Sequence, residues 1–128
     1  MNRKVLQIVE SAYRATIEEQ DDTVLWITHA MRGAGAELAV LLCGPATSYA
    51  VRAQSSAGIG IGTWRQVNPP QPQQDLGHLV GKGVPVYLLQ EDANALGIEP
   101  GEMIDGIQSI ARSDLPRLLA EFDQVWRW

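Results

Sequence analysis

The 128-residue sequence predicts a single-domain, three-layer α/β/α protein on a mostly parallel five-stranded sheet with a flavodoxin-like strand order. Short β-rich runs alternate with helix-period segments from end to end, the pattern of a parallel sheet covered on both faces. One run, Glu37-Leu38-Ala39-Val40-Leu41-Leu42, is apolar almost throughout, as a strand buried on both faces must be. Right-handed crossovers then leave few topologies, of which the flavodoxin-like order is the expected one. No repeat or linker divides residues 1–128, so they read as one domain.

Val5-Leu6-Gln7-Ile8-Val9 is β-rich and follows two basic residues, which makes it the first strand. A polar connection runs from Glu10 to Gln20. Asp21 or Asp22 caps a helix whose stripe is Val24, Leu25, Ile27, Ala30 and Met31, at spacings that share one face. Gly33 and Gly35 end it, with Arg32 placed where a cation suits the helix dipole. Glu37–Leu42 is the second strand.

After Cys43-Gly44-Pro45, residues Ala46 to Ala53 read as a short helix with Pro45 near its first turn. Gln54 to Pro72 has no sustained period, and a loop this long usually serves as a lid, binding loop or partner contact. Helix-like spacing resumes from Asp75 to Gly81. Val84–Leu89 is the third strand, with Pro85 tolerated at its entrance. Asp92 caps a short helix closed by Gly97, and Pro100 to Asp105 forms another helical turn. Ile107–Ile110 is a fourth strand. Ser113 caps a helix carrying Leu115, Leu118, Leu119 and Phe122, and Asp123 to Trp128 closes as a terminal strand.

A formal net charge of −5 argues against nucleic acid, since phosphate binding rests on clustered Lys and Arg. The basic residues are scattered instead: Arg14, Arg32, Arg52, Arg65, Lys82, Arg112 and Arg117. No stretch reaches the ~20 apolar residues of a membrane helix, and no signal-peptide core follows Met1, so a cytoplasmic protein is expected. The single cysteine excludes an intrachain disulfide.

That cysteine, Cys43, stands where the central strand ends. Open α/β sheets place ligand crevices outside the carboxyl ends of their strands, and a following helix favours a thiolate. The opposite use, a small buried hydrophobe, is common for free cysteine. Glu10, Ser11, Gln90 and Glu91 should converge with Cys43 on the same edge, polar groups over an apolar floor as a small-molecule pocket requires.

Gly58-Ile59-Gly60-Ile61-Gly62 lacks the G-x-G-x-x-G spacing of a dinucleotide turn, so no cofactor is implied. His29 and His78 each lie on a predicted helix far from any Cys or carboxylate at metal spacing, and no metal is expected. Ser11 has no G-x-S-x-G surroundings and reads as a turn former. Trp126 and Trp128 share a strand face, and Trp64 sits in the Gly/Pro-rich loop. Such aromatics point to a homo-oligomer interface.

Several landmarks carry a family resemblance. Gly35 to Gly44 follows a Gly-x-x-x-x-Val-x-Leu pattern leading to a strand end of Cys/Gly-Gly type. Lys82-Gly83-Val84-Pro85-Val86-Tyr87 precedes a short helix ending Ala95-Leu96-Gly97-Ile98. Leu115-Pro116-Arg117-Leu118-Leu119 followed by Asp123-Gln124-Val125 closes the chain. In this order they resemble the DsrE/DsrF/TusD-like family of sulfur-relay proteins over nearly the whole chain. The resemblance implies a DsrE-like domain, a trimer or hexamer, and a sulfur-relay protein as partner.

Sulfur-carrying members of that family hold a persulfide on a cysteine ending the third strand. That place falls near Leu89 or Gln90 here, and neither is a cysteine. Two functions stay open. One is a DsrE-like binding or scaffolding subunit of sulfur metabolism, with Cys43 as its candidate persulfide carrier. The other is a non-catalytic, small-ligand-binding oligomer unrelated to sulfur transfer.

Overall fold

The computed structural model describes residues 3–13, 21–55 and 57–128. Most of the polar connection predicted before the first helix, together with Arg14, therefore lies outside the described residues. The elements are β1 (Lys4–Val9), α1 (Thr23–Gly33), β2 (Glu37–Leu42), β3 (Gly60–Ile61), β4 (Trp64–Arg65) and α2 (Pro72–Gly81). They continue with β5 (Val86–Leu89), α3 (Gln90–Ala95), β6 (Ile107–Ile110), α4 (Leu115–Leu119) and β7 (Gln124–Arg127). Short 3-10 segments span Gly44–Ala50, Pro100–Glu102 and Arg112–Asp114.

Five strands form one sheet in the order β6-β5-β2-β1-β7, and every pairing is parallel. The α/β architecture is as the sequence predicts, but the strand order is not flavodoxin-like. Numbered by appearance in this sheet it runs 4-3-2-1-5, whereas a flavodoxin sheet runs 2-1-3-4-5. From β1 to β6 the chain steps repeatedly in one direction. Right-handed crossovers therefore stack α1, the 44–50 segment, α2 and α3 on one face. Only the step from β6 back past β1 to β7 reverses, which puts α4 on the other face.

Side-chain alternation divides the core accordingly. Val9, Val40, Leu42, Val86 and Leu88 pack beneath α1, α2 and α3 with Leu25, Leu76, Leu79 and Tyr49. Leu6, Ala39, Leu41, Cys43 and Leu89 face the opposite way, against Leu118. That third layer is thin: α4 has five residues, and Ile8, Tyr87, Ile110 and Phe122 remain only partly buried beneath or beside it.

Several local expectations change. Asp22 is the α1 cap, its Oδ1 accepting the amides of Val24 at 2.9 Å and Leu25 at 3.2 Å. The buried stripe of α1 is Val24, Leu25 and Thr28, whereas Ala30 is exposed and Ile27 and Met31 are half-buried. Thr28 is buried because Gln7, also fully buried, donates to its hydroxyl at 2.9 Å. The helix predicted over Ala46 to Ala53 is the tighter 3-10 segment Gly44–Ala50, its carbonyls at Gly44 and Pro45 engaged by the hydroxyls of Thr47 and Ser48.

The aperiodic stretch from Gln54 to Pro72 contains a hairpin, β3–β4, closed by Gly62 and Thr63. Gly62 has φ +60°, as the first turn position of a II′ hairpin demands. A Cβ on Gly58 would lie 2.5 Å from the Gln66 carbonyl oxygen. Close strand approach, rather than loop flexibility, accounts for these glycines. α2 begins at Pro72, three residues earlier than predicted, because proline suits the first helical turn. Ser113 and Asp92 do not hold the cap positions of α4 and α3, which fall to Asp114 and Leu89. The turn expected over Pro100 to Asp105 is confined to Pro100–Glu102.

Candidate functional site

The carboxyl edge of the sheet carries the site. β5 leads into α3 on one face and β6 leads toward α4 on the other, so adjacent strand ends part at this edge. A crevice at such a divergence is the expected ligand position in an open α/β sheet. Here Arg112 spans it. Its amide donates to Glu91 Oε2 at 2.7 Å, and its guanidinium donates to Asp92 Oδ1 at 2.7 Å. The other Asp92 oxygen, Oδ2, accepts the Gly44 amide at 2.7 Å. One carboxylate thus joins the turn after β2 to the segment after β6.

Cys43 lies beneath this bridge. Its amide donates to the Val9 carbonyl at 2.9 Å, extending the β1–β2 ladder one step. Its side chain points to the α4 face, packed with Leu41, Leu89 and Leu118, and is 7% exposed. On its other flank Glu10 Oε2 accepts from the Arg127 guanidinium at 2.8 Å. Glu10 and Arg127 share Cys43's face because both stand at even steps from Leu6 and Val125 on adjacent parallel strands.

Two ion pairs therefore flank one buried thiol. Burial pushes the thiol up to about 11, with the carboxylates of Asp92 and Glu10 adding to the rise. Arg112 and Arg127 act in the opposite direction and do not overcome it. The 3-10 segment that follows begins with Gly44 at φ +50°, and its first amide is given to Asp92 rather than to sulfur. The helix-terminus activation expected from sequence is consequently absent.

Of the residues predicted to converge, Glu10 and Cys43 do so, and Glu91 joins through Arg112. Ser11 and Gln90 are exposed, and no hydrogen bond ties either to this group among the described residues. Asp92, Arg112 and Arg127 were missed by sequence reasoning. Asp92 resembled a helix cap, and the two arginines are brought to this edge only by the strand order. A signal for Arg127 did exist: it follows the terminal strand's alternation on the face opposite Trp126.

Trp126 and Trp128 do share a face, the one under α1. Trp128 donates from Nε1 to Gln7 Oε1 at 2.7 Å and remains partly exposed, and Trp126 is half-buried. Trp64 stands on the hairpin with Ile59, Ile61 and Val67, all exposed, Val67 at 83%. A separate cavity of about 270 Å³ opens at the amino edge of the strands, between Leu38, Pro85, Tyr87 and Phe122, with Lys4 and Arg32 on its rim. No helix among the described residues is long and apolar enough to cross a membrane.

The fold is similar to that of the ychN protein from E. coli, with 22% sequence identity, a TM-score of 0.74 and complete coverage of both chains. It is also similar to MTH1491 from Methanobacterium thermoautotrophicum, a protein of unknown function, at 11% identity, TM-score 0.64 and complete coverage of both chains. BT1422 from Bacteroides thetaiotaomicron, a conserved protein of unknown function, matches at 11% identity and TM-score 0.70, over 98% of this chain and 95% of the other. At these identities the likeness is one of fold. No protein-family model matches the chain, and no curated protein matches it.

Proposed function

We propose that this chain is a DsrE-like protein of sulfur metabolism that works as a cytoplasmic, homo-oligomeric binding or scaffolding subunit. In this reading Cys43 is structural, and the charged edge formed by Glu10, Asp92, Arg112 and Arg127 meets the ligand or partner. The burial of Cys43 carries the structural assignment of this thiol, and the family resemblance carries the link to sulfur metabolism. A sulfur carrier needs an accessible thiolate, whereas this thiol is 7% exposed and raised to about 11. The exposed hairpin residues Ile59, Ile61, Trp64 and Val67 support assembly, a trimer or hexamer being the form expected from the family resemblance.

Mass spectrometry after polysulfide treatment, with and without reductant, tests the function. The unmodified mass is expected in both samples. A stoichiometric, reductant-sensitive sulfur adduct that disappears in Cys43→Ser would overturn the structural role. Sedimentation tests the assembly, and a lone 14.0 kDa species at tens of micromolar counts against it.

A second reading, persulfide carrying, is favoured by one specific adjacency. Leu42 pairs with Leu88, and one step further Cys43 packs in the same cluster as Leu89. Cys43 thus sits beside the place where sulfur-carrying relatives would hold their cysteine. In that reading the Cys43 thiolate attacks a sulfane sulfur of a polysulfide. The new S–S bond forms as the old one breaks, and a shorter polysulfide anion leaves with the electron pair.

A further inference from the structure

The five-stranded sheet ends in two edge strands, β6 and β7. At an edge, alternate residues turn their N–H and C=O groups away from the sheet, where only water or another strand can take them. β7 carries the usual guard against pairing, with Asp123 just before it and Arg127 within it. β6, Ile107-Gln108-Ser109-Ile110, carries none. No ionisable residue and no proline stands from Gly106 to Ala111, and Gln108 and Ser109 are exposed. Outside the ladder with β5, no hydrogen bond engages residues 107–110 among the described residues. The two isoleucines are half-buried, Ile107 against the core under α1, α2 and α3 and Ile110 against the layer of Leu118.

Opposite charges bracket this uncharged strand. Asp105, its side chain fully exposed, stands before it, and Arg112, 59% exposed, follows it. Two copies approaching with β6 parallel would set Asp105 against Asp105 and Arg112 against Arg112. Approaching antiparallel, they bring the Asp105 end of one strand to the Arg112 end of the other, at both ends at once. The edge is therefore complementary to itself about a two-fold axis.

We propose that β6 pairs antiparallel with β6 of a second copy of this chain across a two-fold axis at Ser109, joining two sheets edge to edge. Directly opposed residues of an antiparallel pair share a face, so the axis passes through a residue rather than between two. Gly106 has φ +90° and ends the extended run, which makes Ser109 the position that pairs the whole of 107–111. Ser109 then faces its own copy, Ile107 lies opposite Ala111, and Gln108 lies opposite Ile110. The backbone groups that β6 leaves open find partners, and both isoleucines lose water-exposed surface. This contact rests on the homo-oligomeric reading above and specifies one interface of that assembly.

Cross-linking and sedimentation of the full chain test it. Ser109→Cys places two thiols opposite each other, with Cβ atoms about 4.5–5.5 Å apart, a gap that a small strand movement closes to disulfide geometry. Mild oxidation with copper phenanthroline should give a reductant-sensitive covalent dimer of Ser109→Cys, and none of the wild type, whose lone Cys43 is buried. Ser109→Lys sets like charges across the axis at an exposed position and should halve the sedimenting mass. Failure of Ser109→Cys to cross-link while its thiol reacts freely with a thiol reagent would overturn the contact. So would an assembly whose mass Ser109→Lys leaves unchanged, or a trimer, which has no two-fold axis; either result leaves the homo-oligomeric reading standing. A wild type that stays monomeric, its edge free for a strand of another protein, would overturn both.

Discussion

Asp92 accepts the Gly44 amide at 2.7 Å and thereby ties the start of α3 to the turn that follows Cys43. The same carboxylate holds Arg112 at 2.7 Å, so three segments distant in sequence share one anion. Asp92→Ala should lower stability by about 1–3 kcal/mol, because the Gly44 amide loses its acceptor. Asp92→Asn, which keeps one carbonyl oxygen, should cost less. Urea denaturation of the two variants measures the difference, and equal stability of Asp92→Ala and wild type would refute the tie.

The Cys43 thiol should react slowly while the protein is folded. With its pKa raised to about 11, some 0.1% is thiolate at pH 8, against roughly a quarter for a free cysteine. Labelling by a thiol reagent should be slower by about two orders of magnitude, and quicken about tenfold per pH unit below pH 10. Labelling at the free-thiol rate in native protein at pH 8 would contradict this. Cys43→Ser should destabilise the fold by roughly 1–3 kcal/mol, since the hydroxyl would be buried in an apolar cluster.

A buried polar chain fastens β7 and β1 to α1. Trp128 donates to Gln7, Gln7 donates to Thr28, and the Thr28 hydroxyl donates to the Val24 carbonyl at 2.7 Å. Thr28→Val keeps the shape but strands the Gln7 amide, and should cost about 1–3 kcal/mol. Thr28→Ser should retain most of the stability. Denaturation midpoints of the pair decide it, and a larger loss in Thr28→Ser than in Thr28→Val would show that the methyl, not the hydroxyl, matters.

Asp75 gives stability a pH dependence. Burial, with Asp21 adding to it, raises this carboxyl from 3.8 to about 6 in the folded protein. The folded state therefore binds its proton more tightly than the unfolded state. The resulting stabilisation is complete below about pH 4 and is lost as pH rises through 6. Asp75→Asn should gain stability relative to wild type between pH 4.5 and pH 7.5. A difference that stays flat across that window would show that ionisation of Asp75 costs the fold nothing.

Much of the fold could be read along the chain. Glu37–Leu42 and Ile107–Ile110 fall where their composition places them, because apolar runs and period-two alternation are local properties. Expectations failed where a side chain had two possible uses. Asp92 has the composition of a cap but serves a distant amide, and Thr28, outside the stripe expected for α1, is buried against Gln7. The glycines at 58 and 62 looked like loop residues, and it is cross-strand contact and turn geometry that require them.

From the residues alone it follows that a parallel sheet forms, that its central strand ends at Cys43, and that Glu10 comes to the same edge. These follow from hydrophobic period and residue spacing, which act over a few residues. The order β6-β5-β2-β1-β7, and with it the thiol's environment, is set by the folded chain as a whole. That order puts Arg127 next to Glu10, sets Arg112 against Asp92, and leaves one short helix over the face that holds Cys43. Strand order depends on the direction of each crossover, a long-range choice that local propensities do not encode. Burial and charge around Cys43 follow from that choice, so its character as a buried, unactivated thiol is a property of the fold rather than of its neighbours in sequence.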